Sequence, residues 1–422
     1  MRITETPMTR SLESRRKKEK RPLRLAIVNT GGTFSCLPDA NGELSPMTDE
    51  GMVHDMLYNA LGLGDLVKEG LLDIDLVNLK PIDSSQMLDS QREEIIRILG
   101  SRYASMDAGI LLHGTDTGPK TAKCLHLAMP FFNPLRGDRS EPAYNWIKPV
   151  ILVSSQLPAV GYALEGKGLR LVQRTDSDAA LNLTAAICTA ADNSLFEAGM
   201  LTNLNEILSG PYATKQRETE IPPYVSDSAA KPLAVHTAEG MKYHSRSPMD
   251  RIGGRLMISP IVMREPDTKE SQPLVVDDFS SKVDLVLPVS ETQHLGILRA
   301  YSEGSKTLKK GLKERMPKAV IYVCKGAGNV PGPDYETLKA AEEEGIAVFR
   351  IPIPGGRIPV EKIYDVPGHD IPSLDLQLET AVYKAAMALS LMEREGVSPE
   401  QRVQTMQQMM EYRWNREFLP TR

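Results

Sequence analysis

The chain has 422 residues, of which 41% are hydrophobic and 25% are charged, and its formal net charge is −5 at pH 7. This composition is typical of a globular protein, and it excludes a fibrous, coiled-coil or disordered chain. The surplus of negative charge argues against nucleic acid as a partner, and no apolar run approaches the roughly 18 residues that suggest a membrane helix. We therefore expect a cytoplasmic protein with no membrane and no nucleic-acid partner.

The N-terminus departs from this acidic balance. Residues 10–24 read RSLESRRKKEKRPLR, and the first apolar stretch follows at once. Charge runs of this kind usually stay hydrated, so residues 1–22 are predicted to be a basic, disordered tail. The apolar stretch LRLAIVN is too short for the hydrophobic region of a secretory signal.

Short apolar runs of strand length then recur, and each ends in small polar residues. LRLAIVN runs into TGGTF, DIDLVNLKP into IDSSQM, AGILL into HGTDT, and KPVILV into SSQLP. Continuous apolar runs are typical of parallel strands buried on both faces. Helices are predicted between them at residues 90–100, 119–129 and 176–192. In such α/β sheets ligands bind at the carboxyl ends of the strands, so we expect these polar motifs to meet there.

A second, smaller α/β region is predicted toward the C-terminus. The segments SKVDLVLPVS and KAVIYVC are followed by a predicted helix at residues 334–344 and by IAVFRIP. A polar, proline-containing stretch at residues 241–281 is predicted to be a linker. We therefore expect a larger α/β domain over residues 23–240 and a smaller one over residues 282–422.

Cysteine is too scarce and too scattered for several common kinds of site. Cys36, Cys124, Cys188 and Cys324 form no CxxC pair, so buried free thiols are expected rather than disulfides or a zinc site. GxSxG, HExxH and glycine-rich phosphate-binding motifs are also absent. We therefore expect no metal and no cofactor.

Hydroxyl groups at strand ends remain as candidates for chemistry. Thr115 lies beside a carboxylate, Asp116, and His113 just before them is interpreted as structural. A threonine hydroxyl is neutral at pH 7 and attacks a carbonyl slowly, so it needs a base, for which a lysine with a lowered pKa is a candidate. Spacing alone does not select the lysine.

Taken together, these motifs resemble the bacterial-type L-asparaginase, or glutaminase-asparaginase, family. NTGGTF resembles its first signature and HGTDT its second, while IDSSQM, KPVILVSSQLP, SDAALNLTAA and ATK resemble further family segments. The likeness covers nearly the whole chain from about Leu23 onward. It implies a two-domain asparaginase-like α/β fold with a larger, mostly parallel N-terminal sheet covered by helices on both faces.

The resemblance also implies catalytic roles for individual residues. The family's nucleophilic threonine falls on Thr33. Its second threonine falls on Thr115, its aspartate on Asp116 and its lysine on Lys215, and in the family this lysine, held by the aspartate, accepts the proton of the second threonine. The implied activity is hydrolysis of the side-chain amide of L-asparagine to L-aspartate and ammonia.

Substrate binding and assembly are implied in the same way. Ser84 and Ser85 match residues that hold the α-amino and α-carboxylate groups of a small amide substrate, and Asp116 would also hold the ammonium. Family sites are completed by a neighbouring subunit, which implies a homodimer or a homotetramer.

The first loop departs from the family pattern. The family carries a tyrosine about ten residues after its nucleophile, whereas here the loop SCLPDANGELSPM has none. Glu43, Leu44 and Ser45 occupy its place, and Tyr58 lies too far along the chain to replace it.

These departures leave alternatives open, together with two insertions at residues 131–147 and 161–175 that are predicted to be surface segments. One alternative is an amidase acting on glutamine or on a modified or larger amide, including a subunit of the tRNA-amidotransferase type. The other is a non-catalytic sensor that binds an amino acid in an asparaginase-like pocket.

Overall fold

The structure is a computed structural model, and the part it describes comprises residues 6–39, 41, 43–102, 105–128, 148–165, 168–192, 195, 197–226, 231–244, 249–252, 255–258, 274–276, 297–301, 305–324, 329–352, 370–374, 376–394 and 396–411. The α-helices in these residues are α1 (Pro7–Glu19), α2 (Glu50–Asp55), α3 (Leu63–Lys68), α4 (Asp89–Ser101), α5 (Gly118–Ala128), α6 (Ala179–Asp192), α7 (Ser305–Arg315), α8 (Gly332–Glu343), α9 (Leu378–Arg394) and α10 (Pro399–Glu411). The strands in the same residues are β1 (Leu23–Asn29), β2 (Cys36–Pro38), β3 (Leu44–Pro46), β4 (Leu72–Asn78), β5 (Ala108–Leu112), β6 (Val150–Val153), β7 (Val160–Glu165), β8 (Gly168–Gln173), β9 (Ala198–Asn203), β10 (Glu206–Ser209), β11 (Ala213–Lys215), β12 (Tyr224–Ser226), β13 (Ala234–Thr237), β14 (Gly240–Tyr243), β15 (Met249–Ile252), β16 (Arg255–Ile258), β17 (Leu274–Val276), β18 (Ile297–Tyr301), β19 (Ala319–Cys324) and β20 (Ala347–Pro352).

The centre of the N-terminal region is an eight-stranded sheet with the order β14-β13-β10-β9-β6-β5-β1-β4. Strands β4, β1, β5, β6 and β9 pair in parallel, whereas β9, β10, β13 and β14 pair antiparallel at one edge. The predicted helices correspond to α4, α5 and α6. The prediction of a mostly parallel α/β sheet is therefore confirmed.

Strand β1 shows why the apolar runs are continuous. Side chains alternate between the two faces of a strand, and both faces of this sheet are covered. Leu25 and Ile27 pack on the face that also buries side chains of α1, α2, α3 and α6, whereas Ala26 and Val28 pack on the face of α4 and α5. All four side chains are at most 1% exposed, so every position in the middle of the strand is apolar.

The C-terminal region has a smaller parallel sheet with the order β18-β19-β20. One face of this sheet packs with α9 and α10 in a core shared with α5, and the other face packs with α7 and α8. The predicted helix at residues 334–344 corresponds to α8. The segment SKVDLVLPVS and the insertion at 131–147 lie outside the described residues, and the described parts of 241–281 form short strands.

Residues 7–19 form a helix, whereas residues 1–22 were predicted to be a disordered tail. Helix α1 begins with a capping box between Thr6 and Thr9, and its buried residues are Thr9, Leu12 and Arg15, three positions apart. Leu12 is 1% exposed in the core beside α6. Asp107 accepts ion pairs from Arg15 at 3.2 Å and from Arg21 and Arg24 at 2.5 and 3.0 Å. The burial of Leu12 and the ion pair with Asp107 therefore stabilise α1, although its composition alone suggests a hydrated, disordered segment.

Two further expectations concern the surface and the thiols. The excursion expected at residues 161–175 is largely an antiparallel hairpin of β7 and β8, with Leu164 at 82% and Leu169 at 64% exposure. Each cysteine is a buried free thiol, as predicted. Within the described part of the chain, none of the helices is both long and apolar enough to span a bilayer.

Candidate active site

Four of the predicted polar motifs meet at one edge of the central sheet. Asn29, the last residue of β1, lies opposite Asn78 at the end of β4 and Leu112 at the end of β5, and Leu112 lies opposite Val153 at the end of β6. The residues that follow these strands therefore leave the sheet side by side. This is the edge at which α/β sheets bind ligands.

The first loop approaches its neighbour so closely that glycine is required. Gly31 and Gly32 have φ of +96° and +79°, conformations that favour glycine. A Cβ on Gly32 would lie 2.4 Å from the backbone of Gly114, which belongs to the second motif. Thr33 then begins a short 3-10 helix that ends at Ser35, and its side chain is half-buried. The two signature loops are thus in backbone contact, and Thr33 lies beside that contact.

The second loop is held against the serine segment. A Cβ on Gly114 would lie 2.4 Å from Ser84 Oγ, and the hydroxyl of Thr117 donates a hydrogen bond of 2.7 Å to the carbonyl of Ser84. Ser84 and Thr115 are 3% and 5% exposed. Ser85 is exposed instead, and its backbone N–H donates to Asp83 Oδ1 at 2.9 Å.

Lys215 reaches the second loop from a separate pair of strands. It ends β11, where it lies opposite Tyr224 of β12, and directly opposed residues in an antiparallel pair share one face. Its Nζ donates to Asp116 Oδ1 and lies 2.8 Å from Glu218 Oε2. The lysine side chain is 9% exposed, whereas Asp116 and Glu218 are 44% and 81% exposed.

The charge of Lys215 depends on these two carboxylates. Burial of the amine lowers its pKa, but hydrogen bonds and charge interactions with Asp116 and Glu218 outweigh burial and hold the pKa of Lys215 above its ordinary value. In the free protein the amine is therefore protonated at neutral pH. To accept a proton, Lys215 first has to lose one.

A buried tyrosine supports the loop from below. Tyr224 OH donates to the backbone carbonyl of Thr115 at 3.3 Å and lies 2.7 Å from Ser154 Oγ. Because the single hydroxyl hydrogen of Tyr224 goes to a carbonyl, the Ser154 hydroxyl is the donor to Tyr224. Burial raises the pKa of Tyr224, so its hydroxyl stays protonated. Lys215 and the Thr115 backbone are thereby tied to the same short strand pair.

His113 has a structural role, as its position suggests. Its ring is fully buried, with Nδ1 2.7 Å from the carbonyl of Gly114 and Nε2 2.9 Å from the hydroxyl of Thr121. A carbonyl only accepts, so Nδ1 carries the proton and Nε2 accepts from Thr121. Burial lowers the pKa of His113 to about 4, and the ring is neutral at physiological pH.

These loops enclose a cavity of about 430 Å³. Five of the six residues singled out from the sequence line it, namely Thr33, Ser84, Thr115, Asp116 and Lys215. Ser85 is not among the lining residues. The other lining residues are Gly32, Cys36, Leu44, Pro46, Ile82, Asp83, Gly114, Gln156 and Glu218. The cavity is in the size range of small-molecule sites and combines hydroxyls, carboxylates and one amine.

Comparison with known proteins gives a consistent result. Residues 24–135 match the family model described as asparaginase, N-terminal. L-asparaginase 2 of Escherichia coli strain K12 is 21% identical over 343 residues, which cover 79% of this chain and 82% of that protein. The probable periplasmic L-asparaginase of Haemophilus influenzae is 24% identical over 339 residues, 77% of this chain and 76% of that protein. The chain is therefore similar to L-asparaginases over most of its length, and its residues 24–135 match the asparaginase family model.

Solved structures extend the likeness of the fold beyond the matched segment. The thermostable L-asparaginase from Thermococcus kodakarensis superposes with a TM-score of 0.62 at 16% identity, covering 94% of this chain and 100% of that one. L-asparaginase I from Vibrio cholerae superposes with a TM-score of 0.62 at 19% identity, covering 93% of this chain and 99% of that one. The asparaginase fold therefore includes the C-terminal region.

The first loop lacks the tyrosine that the family resemblance leads one to expect. The structure shows which residues of this loop line the cavity instead. Strands β2 and β3 form a hairpin, and Leu44 and Pro46 of β3 line the cavity. Tyr58 is not among the lining residues, and its ring stacks on His54 at a centroid distance of 4.0 Å. An apolar wall therefore takes the place expected for the tyrosine.

Two residues that line the cavity, Gln156 and Glu218, and one that supports its second loop, Tyr224, were not identified from the sequence. Gln156 lies 3.5 Å from the Thr115 hydroxyl, and its Nε2 donates to the carbonyl of Glu218 at 3.1 Å. Its position after β6, in the motif SSQLP, was a usable signal. Glu218 and Tyr224 lie in no motif that the sequence analysis used. Their roles follow from contacts in the folded chain, of Glu218 with Lys215 and of Tyr224 with the carbonyl of Thr115.

Proposed function

We propose that this chain is an amidohydrolase that converts L-asparagine to L-aspartate and ammonia, with Thr33 as the nucleophile. The observation that supports this most is that Thr33, Thr115, Asp116 and Lys215 line one cavity at the ligand-binding edge of the sheet. The named activity of the relatives in the asparaginase family points the same way.

The proposed reaction has two stages. The Thr33 hydroxyl oxygen attacks the amide carbon and gives up its proton, which is delivered to the amide nitrogen, so that the tetrahedral intermediate expels ammonia and leaves an ester on Thr33. The resulting ester on Thr33 is then cleaved by water, which restores the hydroxyl and releases L-aspartate. In this scheme Lys215, held by Asp116, accepts the proton of Thr115 and returns it.

The charge of the cavity favours a substrate with an ammonium group. Asp83, Asp116 and Glu218 line the cavity, and Lys215 is the cation among the lining residues. We therefore assign the α-ammonium of the substrate to these carboxylates, with Asp116 as its principal partner. The buried Ser84 beside Gly114 is assigned to the α-carboxylate or the α-amino group of the substrate, whereas Ser85 does not line the cavity.

We also propose that the protein is a cytoplasmic homodimer or homotetramer. Its four cysteines are buried free thiols, and the asparaginase from Campylobacter jejuni that superposes with a TM-score of 0.56 is named as probably cytoplasmic. Light scattering after gel filtration measures the assembly, and fractionation of the cells that make the protein measures its location.

The experiment that tests the proposed function is ammonia release from L-asparagine, from L-glutamine and from N-substituted or peptide-linked asparagine. Thr33→Val removes only the hydroxyl and is expected to abolish release while the protein still binds L-asparagine. Thr237→Val is the matched control, because Thr237 is also half-buried but donates to Gly240 at a hairpin turn at the other edge of the sheet.

The outcomes separate the alternatives. Release from L-asparagine by the wild type and by Thr237→Val, but not by Thr33→Val, is the expected result. Release only from a larger amide would replace the substrate and keep the mechanism. Binding of L-asparagine without any release by the wild type would favour a sensor over an enzyme.

A further inference from the structure

The segment that leads into Lys215 is held by side chains from the C-terminal region and by one from α5. The three residues before Thr214 are Pro211, Tyr212 and Ala213, and each of their backbone carbonyls accepts a hydrogen bond from a side chain distant in sequence. Thr380 Oγ1 donates to Pro211 at 3.0 Å, and Gln377 Nε2 donates to Tyr212 at 2.7 Å.

The third carbonyl is held by a buried ion pair. Lys123 Nζ of α5 donates to the carbonyl of Ala213 at 2.6 Å and lies 3.2 Å from Glu379 Oε2. The Lys123 side chain is fully buried. Glu379 lies in the first turn of α9, between Gln377 and Thr380. We call Lys123, Gln377, Glu379 and Thr380 the α9 seat.

The same segment is fixed at its start by close backbone packing. A Cβ on Gly210 would lie 2.2 Å from the carbonyl oxygen of Gly199 in β9 and 2.8 Å from the Cβ of Ala122 in α5. Residues 210–213 therefore pack against β9 and α5 at one end, and their next three carbonyls accept hydrogen bonds from Thr380, Gln377 and Lys123. Lys215 follows two residues later, about 7 Å along an extended strand.

The side-chain partners of Lys215 are poorly suited to fix its position. Asp116 and Glu218 are 44% and 81% exposed, and ion pairs with exposed carboxylates are weak and mobile. The buried hydrogen bonds of the α9 seat act on the backbone instead. In a reaction that needs the amine in a defined place, a shift of about 1 Å can cost about a hundredfold in rate.

We propose that the first turn of α9 positions the amine of Lys215, so that Lys123, Gln377, Glu379 and Thr380 are positioning residues for the reaction. This role rests on the proposed function for its catalytic consequence. The mechanical part, which concerns where the Lys215 amine lies, is tested without turnover.

The test uses three substitutions of uncharged residues in the full-length protein. Thr380→Val removes the donor to Pro211, Gln377→Met removes the donor to Tyr212, and Thr380→Ser keeps a hydroxyl. Thr337→Val is the control, because the buried Thr337 hydroxyl donates to the carbonyl of Pro333 within α8 at 2.9 Å.

The first readout is the acetylation of Lys215 by acetic anhydride as a function of pH, followed by mass spectrometry of its peptide. We expect the apparent pKa of Lys215 to fall toward that of an ordinary lysine in Thr380→Val and Gln377→Met, because the amine moves away from Asp116 and Glu218. The second readout is steady-state kinetics, in which kcat falls about tenfold while KM changes less than about twofold. Thr380→Ser and Thr337→Val are expected to behave like the wild type in both.

Two outcomes would overturn the proposal. The first is a folded Thr380→Val, Gln377→Met double variant with the wild-type acetylation profile of Lys215. The second is an equal shift of the apparent Lys215 pKa in Thr337→Val, which would mean that the loss of any buried threonine hydroxyl disturbs the site. If Thr380→Val does not fold, the acetylation profile of Lys215 in Gln377→Met alone tests the proposal, because Gln377 is only half-buried. If the wild type shows no turnover but the acetylation profile of Lys215 shifts as expected in Thr380→Val and Gln377→Met, the proposed function is contradicted and the positioning role of the α9 seat stands.

Discussion

Lys215 and Lys339 each lie between two carboxylates, and Lys215 also lines the candidate cavity. Lys215 lies between Asp116 and Glu218 at the sheet edge. Lys339 of α8 lies 2.6 Å from Glu342 and 3.1 Å from Asp370. Both arrangements raise the pKa of the lysine. The shared geometry shows that a lysine between two acids is not by itself a mark of catalysis.

The two lysines differ in burial and in their neighbours. Lys339 is 35% exposed, and the hydrogen bonds that its amine donates to Glu342 and Asp370 are the largest cause of its raised pKa. Lys215 is 9% exposed, and burial, which opposes its charge, is the largest single effect on its pKa. Its protonation therefore depends closely on its carboxylates. It also lines a cavity with the hydroxyls of Thr33 and Thr115, whereas Lys339 joins a helix to a loop.

The largest expected difference concerns removal of each amine. Lys215→Met is expected to lower kcat by about 10² to 10⁴, because general acid–base groups contribute that much to a reaction. Lys339→Met is expected to change kcat by less than about twofold, because the amine that it removes does not line the cavity. Ammonia release under saturating L-asparagine measures both. Equal losses in the two variants would show that the lysine acts through stability alone.

A smaller effect is expected from the second carboxylate of each pair. Glu218→Gln removes a charge that raises the pKa of Lys215, so the pKa of the amine falls. Because the base must be unprotonated to act, the acidic limb of the kcat–pH profile is expected to move to lower pH. Glu342→Gln is the control at Lys339 and is expected to leave the profile in place. A limb that stays fixed in Glu218→Gln would mean that another group titrates.

The smallest effect concerns stability. Lys339→Met is expected to lower the free energy of unfolding by about 1 kcal/mol or less, because partly exposed ion pairs contribute little. The pKa of Lys339 is raised above its ordinary value, so this contribution is fully present at pH 7 and is lost only as the pH rises past the ordinary lysine pKa and on through the raised one. Urea unfolding of both proteins at pH 7 measures it. A loss of several kcal/mol would indicate that α8 depends on this bridge.

The sequence predicts well those features that depend on neighbouring residues. The strands around Leu25 and Ile110 are read from continuous apolar runs, and Thr115 and Asp116 stand out in the polar motif after such a run. Thr33 lies in the corresponding motif after β1, and its role is implied by the resemblance to the asparaginase family. Parallel strands bring their carboxyl ends together by construction. The meeting of the motifs at one edge is therefore already present in the pattern.

Contacts between distant parts of the chain could not be predicted in this way. Tyr224 lies 70 residues from Ser154 and 109 from Thr115, and Thr380 lies 169 residues from Pro211. The helical and strand periodicities of the sequence contain no information about such distant pairs. The order of helix α1 could not be predicted for a related reason, since the burial of Leu12 and the ion pair of Arg15 with Asp107 join it to parts of the chain that are distant in sequence.

The most direct test of the central claim is to identify the residue that carries the acyl group. Wild-type protein is mixed with L-asparagine, quenched in acid within the first turnovers, digested and analysed by mass spectrometry. We predict an aspartyl ester on Thr33, absent in Thr33→Val and unchanged in Thr237→Val. An ester on Thr115, or full turnover by Thr33→Val, would contradict the assignment of Thr33 as the nucleophile.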